Sequence, residues 1–410
     1  MAKPKLALIP AAYGSKFYSI LPSNGVGDFD FSRSSVATRI NPEGLIESVA
    51  IGQSRLDYPL VNGVQKGCPH YLLEPSSTNL IPYSEDFTQS NWVKQSGGVA
   101  SAPVVTANYS ISPDGTLNAD RVTFNNEGGS TSSDFSQIND PVTASIGNVT
   151  NSIYIKSNTT FNYTMSLVDS TGGFTSILVT TEWQRFEVSA TTTTTAASFR
   201  LRLRGSESTS DFADVSLWGA QLEVGSFATS YIPTNGTAVT RSAETANGSG
   251  DASTFNDSEG VLMAEISALS DDLTNRRITI SDNSTSNRIV LGFADASNTI
   301  LALVGSSGTQ FISTIAISDT KVNNKFALKY KQNDFALWIN GFEAATDTSG
   351  NTPTGLSTLK IQGSTGFSNF YGKTKQLQYF DSALADTQLE QLTSWLSFRD
   401  MTEAQSYTIQ

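Results

Sequence analysis

One cysteine and one histidine stand among 410 residues, and each scarcity closes a class of chemistry. Cys68 cannot form an intramolecular disulfide or a multi-cysteine zinc site, so stability must come from burial, metal ions or oligomerisation. Nucleophilic catalysis with a histidine base would have to run through His70, in the loop-like stretch Cys68-Pro69-His70-Tyr71, where no orienting partner is evident. Charged residues make up 16% of the chain, below the ordinary quarter, with a formal charge of -12 and no Lys/Arg cluster to neutralise phosphates. Nucleic acid is therefore not an expected partner. No stretch approaches the ~20 apolar residues of a membrane-spanning helix, so membrane insertion is not expected. The first apolar run, Leu6 to Ile9, is cut by Pro10 and is too short for a signal-peptide core. The expectation is a chain made in a cytoplasm that reaches the outside, if at all, by lysis.

What fills the sequence instead is Thr, Ser, Asn and Gly. Runs such as Thr191 to Thr195 lose side-chain freedom in a helix and fit a pleated strand. A chain of this length exceeds one hydrophobic core, so two or three domains are expected. Residues 1–82 read as short strands and turns that bury little alone and must pack on a neighbour or thread through an assembly, hence an anchoring segment. Residues 83–240 carry regularly spaced strand windows; in one, Phe199, Leu201 and Leu203 share a face while Arg200, Arg202 and Arg204 take the other. Such spacing predicts an antiparallel sandwich. Residues 241–256, where Gly, Ser, Ala and Asn dominate, read as a linker, and residues 257–410 repeat the sandwich pattern. Asn340-Gly341 suits a tight hairpin, and Leu389, Leu392, Trp395 and Leu396 recur at helical spacing behind Asp386, an expected cap. The fold class predicted is all-β: a β-rich N-terminal segment, two antiparallel β-sandwich (jelly-roll) domains and one short C-terminal helix.

Three stretches resemble known families. Pro10-Ala-Ala-Tyr13, Phe29 to Arg39, Gly44-Leu-Ile-Glu47, Arg55-Leu-Asp-Tyr58 and Leu73 to Leu80 together resemble the leader of bacteriophage structural proteins. Asn79 to Trp92, Asp214 to Glu223 and Ser230-Tyr-Ile-Pro233 with Arg241 are similar to carbohydrate-binding-module jelly rolls carried by such proteins. Asn324 to Gly341 and Gly372 to Leu384 resemble a concanavalin A-like, laminin-G-type sandwich. These resemblances imply a virion location, other virion proteins as partners, a homotrimer as in phage fibres, and a host surface glycan as ligand. They also imply a structural Ca2+ near the meeting of the first and last jelly-roll strands, on Glu85, Asp86 and Asp214.

Sugar binding calls for an exposed aromatic face. Trp218, beside Leu217, breaks alternation, so one of the two points outward; it is the first candidate, followed by Tyr154 and Tyr163. Trp92, Trp183, Trp338 and Trp395 read as core. Glycoside hydrolysis needs two carboxylates at a defined separation, which sequence spacing cannot report, and Glu182 and Glu187 read more simply as exposed strand positions. The expectation is a non-enzymatic, glycan-binding virion appendage. A glycan-cleaving depolymerase and a purely structural head or tail protein are the alternatives.

Overall fold

The structure is a computed structural model that describes residues 2–61 and 63–404. The expected all-β architecture is present, with long antiparallel strands in both sandwiches. Two five-stranded sheets form the jelly roll. One orders Ser101–Ile111, Leu117–Asn125, Phe212–Val224, Gly147–Ser157 and Gln184–Thr192; the other orders Val93–Gly97, Phe135–Thr143, Ala196–Arg204, Tyr163–Val168 and Phe174–Val179. The alternation read in Phe199, Leu201 and Leu203 places all three in the core between these sheets, with Trp92, Phe87, Ile153 and Leu217.

The second sandwich is built differently from its sequence order. Its larger sheet has eleven strands and takes in strands from residues 6–73 as well as from residues 245–380. Leu6–Tyr13 pairs with Gly372–Phe380, which pairs in turn with Glu259–Ala268 and with His70–Leu73. A five-stranded sheet, from Thr309–Ala316 through Thr299–Ser306, Asn287–Phe293 and Arg276–Ser281 to Thr358–Lys360, covers it. Their shared core mixes Leu6, Leu8, Phe17, Phe29 and Tyr71 with Ile266, Ile280, Leu291, Phe326 and Leu377. Segments from residues 6–73 and from residues 246–379 thus share one hydrophobic core, and the jelly roll is inserted between them.

The stretch 241–256 is not a free linker. Thr245–Asn247 is the edge strand of the eleven-stranded sheet, paired with Phe29–Ser32, and Arg241, Glu244, Ala246, Ser249 and Phe255 are buried. Its low hydrophobicity does not mark it as exposed, because what this stretch buries is largely polar, and polar burial depends on distant partners. The outer face of the large sheet is capped by the helix Asp386–Thr393 through Leu389 and Leu392, which meet Val261, Met263, Ala327 and Trp338. Ala385 occupies the N-cap and Asp386 is the first helical residue, where its charge complements the helix dipole. A further short helix, Phe398–Ala404, follows.

Candidate functional site

Five charged side chains meet where the leader, the jelly roll and the second sandwich join. Arg55 donates to Glu244 through Nε (2.8 Å) and Nη2, and also through Nη2 to Glu74 (2.8 Å). Arg33 donates to Glu244 (2.7 Å), and Arg241 donates to Glu74 and to the Pro75 carbonyl. All five side chains are almost wholly buried. Ser230, from the end of the jelly roll, donates to Glu74 through both its amide (2.7 Å) and its hydroxyl (2.6 Å). Burial alone would raise Glu74; the Arg241 and Arg55 guanidinium groups outweigh it and hold the carboxyl well below its ordinary range. The residues quoted from the leader, Arg33, Arg55 and Glu74, are therefore parts of a buried ionic knot. Asn79, at the entry to the jelly roll, donates to the Ala220 and Ile232 carbonyls and accepts from the Ile81 and Leu222 amides.

Beside this knot lies a cleft of about 550 Å³ with walls from all three parts. Arg39, Asp57 and Tyr58 come from the leader, Tyr154, Trp183 and Arg185 from the jelly roll, and Lys321 and Lys373 from the second sandwich. Its size and its position between domains are those of a small-molecule site. Trp183 is half-buried, fixed by its indole N–H donating to the Ile111 carbonyl (3.0 Å), and Lys156 Nζ lies 5.1 Å from its ring centre. Arg185 stacks over Tyr154 at 5.3 Å and is held by donation to the Thr229 carbonyl (2.7 Å) and to Ser152 Oγ (3.0 Å). Fixed aromatic rings with guanidinium and ammonium groups among them offer stacking surface and hydrogen-bond donors together. Deeper in, His70 Nε2 is 3.2 Å from Asp57 Oδ2, and burial pushes the imidazole below its ordinary value, against the pull of Asp57.

A second, acidic hollow of about 450 Å³ is lined by Tyr83, Glu85, Asp86, Asn118 and Asp120. Glu85 accepts from Tyr231 (2.8 Å) and Asn118 (3.0 Å), and burial raises it. Asp120 accepts from the Phe87 and Asn108 amides, and burial raises it too. Asp86 accepts from Thr88 and Gln89; those bonds outweigh burial and hold it below its ordinary value.

The expected calcium set is not assembled. Glu85 and Asp86 share the acidic hollow, but Asp214 is clamped by Arg121 through Nε (2.8 Å) and Nη2 (2.6 Å) and by Asn158 (2.9 Å). Asp214 pairs with Thr123, five residues along the strand from Asn118, which holds Glu85; that is roughly 17 Å at strand rise. Among the described residues no three His, Cys, Asp or Glu side chains converge as a metal-holding group. Two sugar candidates also move. Trp218 does point out of the jelly roll, opposite Leu217, but Ile46 of the leader and Tyr231 close over it and leave it 1% exposed. Tyr163 lies in the jelly-roll core, its hydroxyl bonded to Thr159. Tyr154 is the candidate that reaches the cleft, and Trp183, read from sequence as core, joins it there. Its neighbour Glu182 is exposed and Gln184 half-buried, a signal of a strand end that alternation alone does not carry.

No family model matches the chain, and no curated protein does. Among solved structures, part of it is similar to the CBM40 module of the Ruminococcus gnavus IT-sialidase, at 17% identity and a TM-score of 0.31 over 36% of this chain and 94% of that one. Part is also similar to domain 4 of AbnA, a GH43 extracellular arabinanase from Geobacillus stearothermophilus in complex with arabinotriose, at 12% identity and a TM-score of 0.30 over 37% and 73%. Neither likeness assigns a function to this chain.

Proposed function

We propose that the protein is a non-enzymatic bacteriophage virion appendage that binds a host surface glycan in the cleft between its three parts. The observation that carries the binding reading is the pairing of Trp183 and Tyr154 in a cleft of about 550 Å³, with Arg185 and Lys373 among its walls. A pyranose ring can stack on a fixed aromatic face, while the guanidinium and ammonium groups donate to its hydroxyls or to an acidic substituent. The leader motifs support the virion assignment, with other virion proteins and a homotrimeric state as its corollaries. Binding without cleavage fits the commitments of the acidic groups: Asp57 accepts from the Ile40 amide and faces His70, and Glu74 is held ionised inside the knot. A glycan array probed with the full chain, read beside a reducing-sugar assay, tests the proposal. Retention of one glycan class with no sugar released supports it; release of sugar, or no retention, contradicts it.

A further inference from the structure

Three cations on the second sandwich have no counter-charge among the described residues. Thr279, on the strand Arg276–Ser281, pairs with Val290 on one side and Lys360 on the other, so their side chains share a face. Arg277 and Arg288, two residues from Thr279 and Val290, project from that face as well, since strand side chains repeat every two residues. The opposite face carries Ile278, Ile280, Ile289 and Leu359 into the core. Among the described residues, neither arginine nor Lys360 makes an ion pair; Lys360 Nζ donates only to the Ser364 carbonyl (3.2 Å). The Nε atoms of Arg277 and Arg288 and the hydroxyls of Thr279 and Ser364 are buried without a hydrogen-bond partner. Thr279 is 0% exposed and Ser364 3% exposed.

A chain of charge -12 has acidic groups to spare, yet among the described residues none is paired with these three cations. Arg277 stands opposite Gly292 and Arg288 opposite Ser281, so the two leave their strands about 13 Å apart, with Thr279 between. A threonine is fully covered at such a position when the long side chains beside it lie across it. Arg288 is held below its ordinary value by burial and by the charge of Arg277. Four unpartnered polar atoms beside three cations on one sheet face describe a site short of a small multivalent acceptor.

We propose that Arg277, Arg288, Lys360 and Thr279 frame an oxyanion site on the outer face of the second sandwich, taking a sulfate, phosphate or carboxylate group. The oxyanion would accept from both guanidinium groups, from Lys360 and from the Thr279 hydroxyl, and would neutralise a repulsion that the folded chain otherwise carries. The general repulsion of an acidic chain is screened beyond about 10 Å in ordinary salt, so the local cluster decides. The site lies on a different sheet from the cleft and does not depend on the cleft binding sugar.

The test is calorimetric titration of the full chain with sodium sulfate and with sodium phosphate, at ionic strength held constant with chloride, followed by a sulfated and a uronate-bearing disaccharide. Saturable sulfate binding is expected, weakened at least roughly tenfold in Arg288→Gln and Arg277→Gln, as loss of a charge-assisted contact requires. Arg288→Lys should retain most of it, and Trp183→Ala should leave it unchanged. The disaccharide arms separate a free inorganic ion from a sugar-borne group. Without anion, Arg288→Gln should melt at or above the parent temperature, whereas a merely structural arginine would lower it. No saturable oxyanion binding by the parent chain, or binding by both glutamine variants as tight as the parent's, overturns the proposal; Lys360→Gln replaces either variant that fails to fold.

Discussion

Arg55 and Glu244, 189 positions apart, form a buried two-contact ion pair that ties the leader to the segment leaving the jelly roll. Neither is exposed, and Arg33, Glu74 and Arg241 complete the group. Removing one partner leaves an uncompensated buried charge, so Glu244→Ala should cost about 3–5 kcal/mol. Because the knot touches all three parts, calorimetry should show one main unfolding transition in the parent and two separated transitions in the variant. A single transition in both would mean that the core, without the knot, couples the sandwiches.

Two carboxylates give opposite pH signatures. Glu74 is depressed in the folded state, so its contribution is present above the ordinary carboxylate value and is lost as pH falls below about 4.5 toward the folded value. Asp140 is pushed up to about 6 by burial, against a bond from Asn91, so its contribution to stability falls as pH rises from the ordinary value to about 6. Asp140→Asn should therefore melt like the parent at pH 4 and above it at pH 7, the gap opening in between. A gap independent of pH would contradict this assignment.

Trp183 and Trp218 should separate binding from folding. Trp218→Ala removes a fully buried ring packed against Tyr154 and Tyr231 and should cost about 3–5 kcal/mol in denaturant unfolding. Trp183→Ala should lower the melting temperature far less and weaken glycan retention at least roughly tenfold, in the range of a lost aromatic contact.

Gly219 sits at φ +64°, at the irregularity where Phe212–Val224 pairs with Gly147–Ser157, and a Cβ there would lie 3.2 Å from Tyr154 and 3.3 Å from Tyr231. Gly219→Ala should therefore destabilise by about 1–2 kcal/mol, measured by urea denaturation, through strain in the backbone and crowding of the rings.

Alternation and turns made the sandwiches legible, since period-two burial is written locally, as in Phe199 to Leu203. What escaped was written across long separations. Nothing near Arg241 or Glu244 announces partners in the first 74 residues, so the stretch read as a linker. The outward direction of Trp218 was readable, but its cover comes from Ile46, which no local pattern reports. Asp214 carried a calcium expectation by resemblance, while its register partner Thr123 and the clamp from Arg121 place it far along the strand from Glu85. Tyr154 stands in the sequence only as an aromatic candidate ranked after Trp218, and the cleft that gives it a role exists only once three parts of the chain meet.

The most direct measurement is a glycan array comparing the full chain with Trp183→Ala and Arg185→Gln, both first shown to be folded by circular dichroism. The account predicts retention of a defined glycan class by the parent and its loss in both variants, with no reducing sugar released. Equal retention by all three proteins would contradict the cleft as the glycan site.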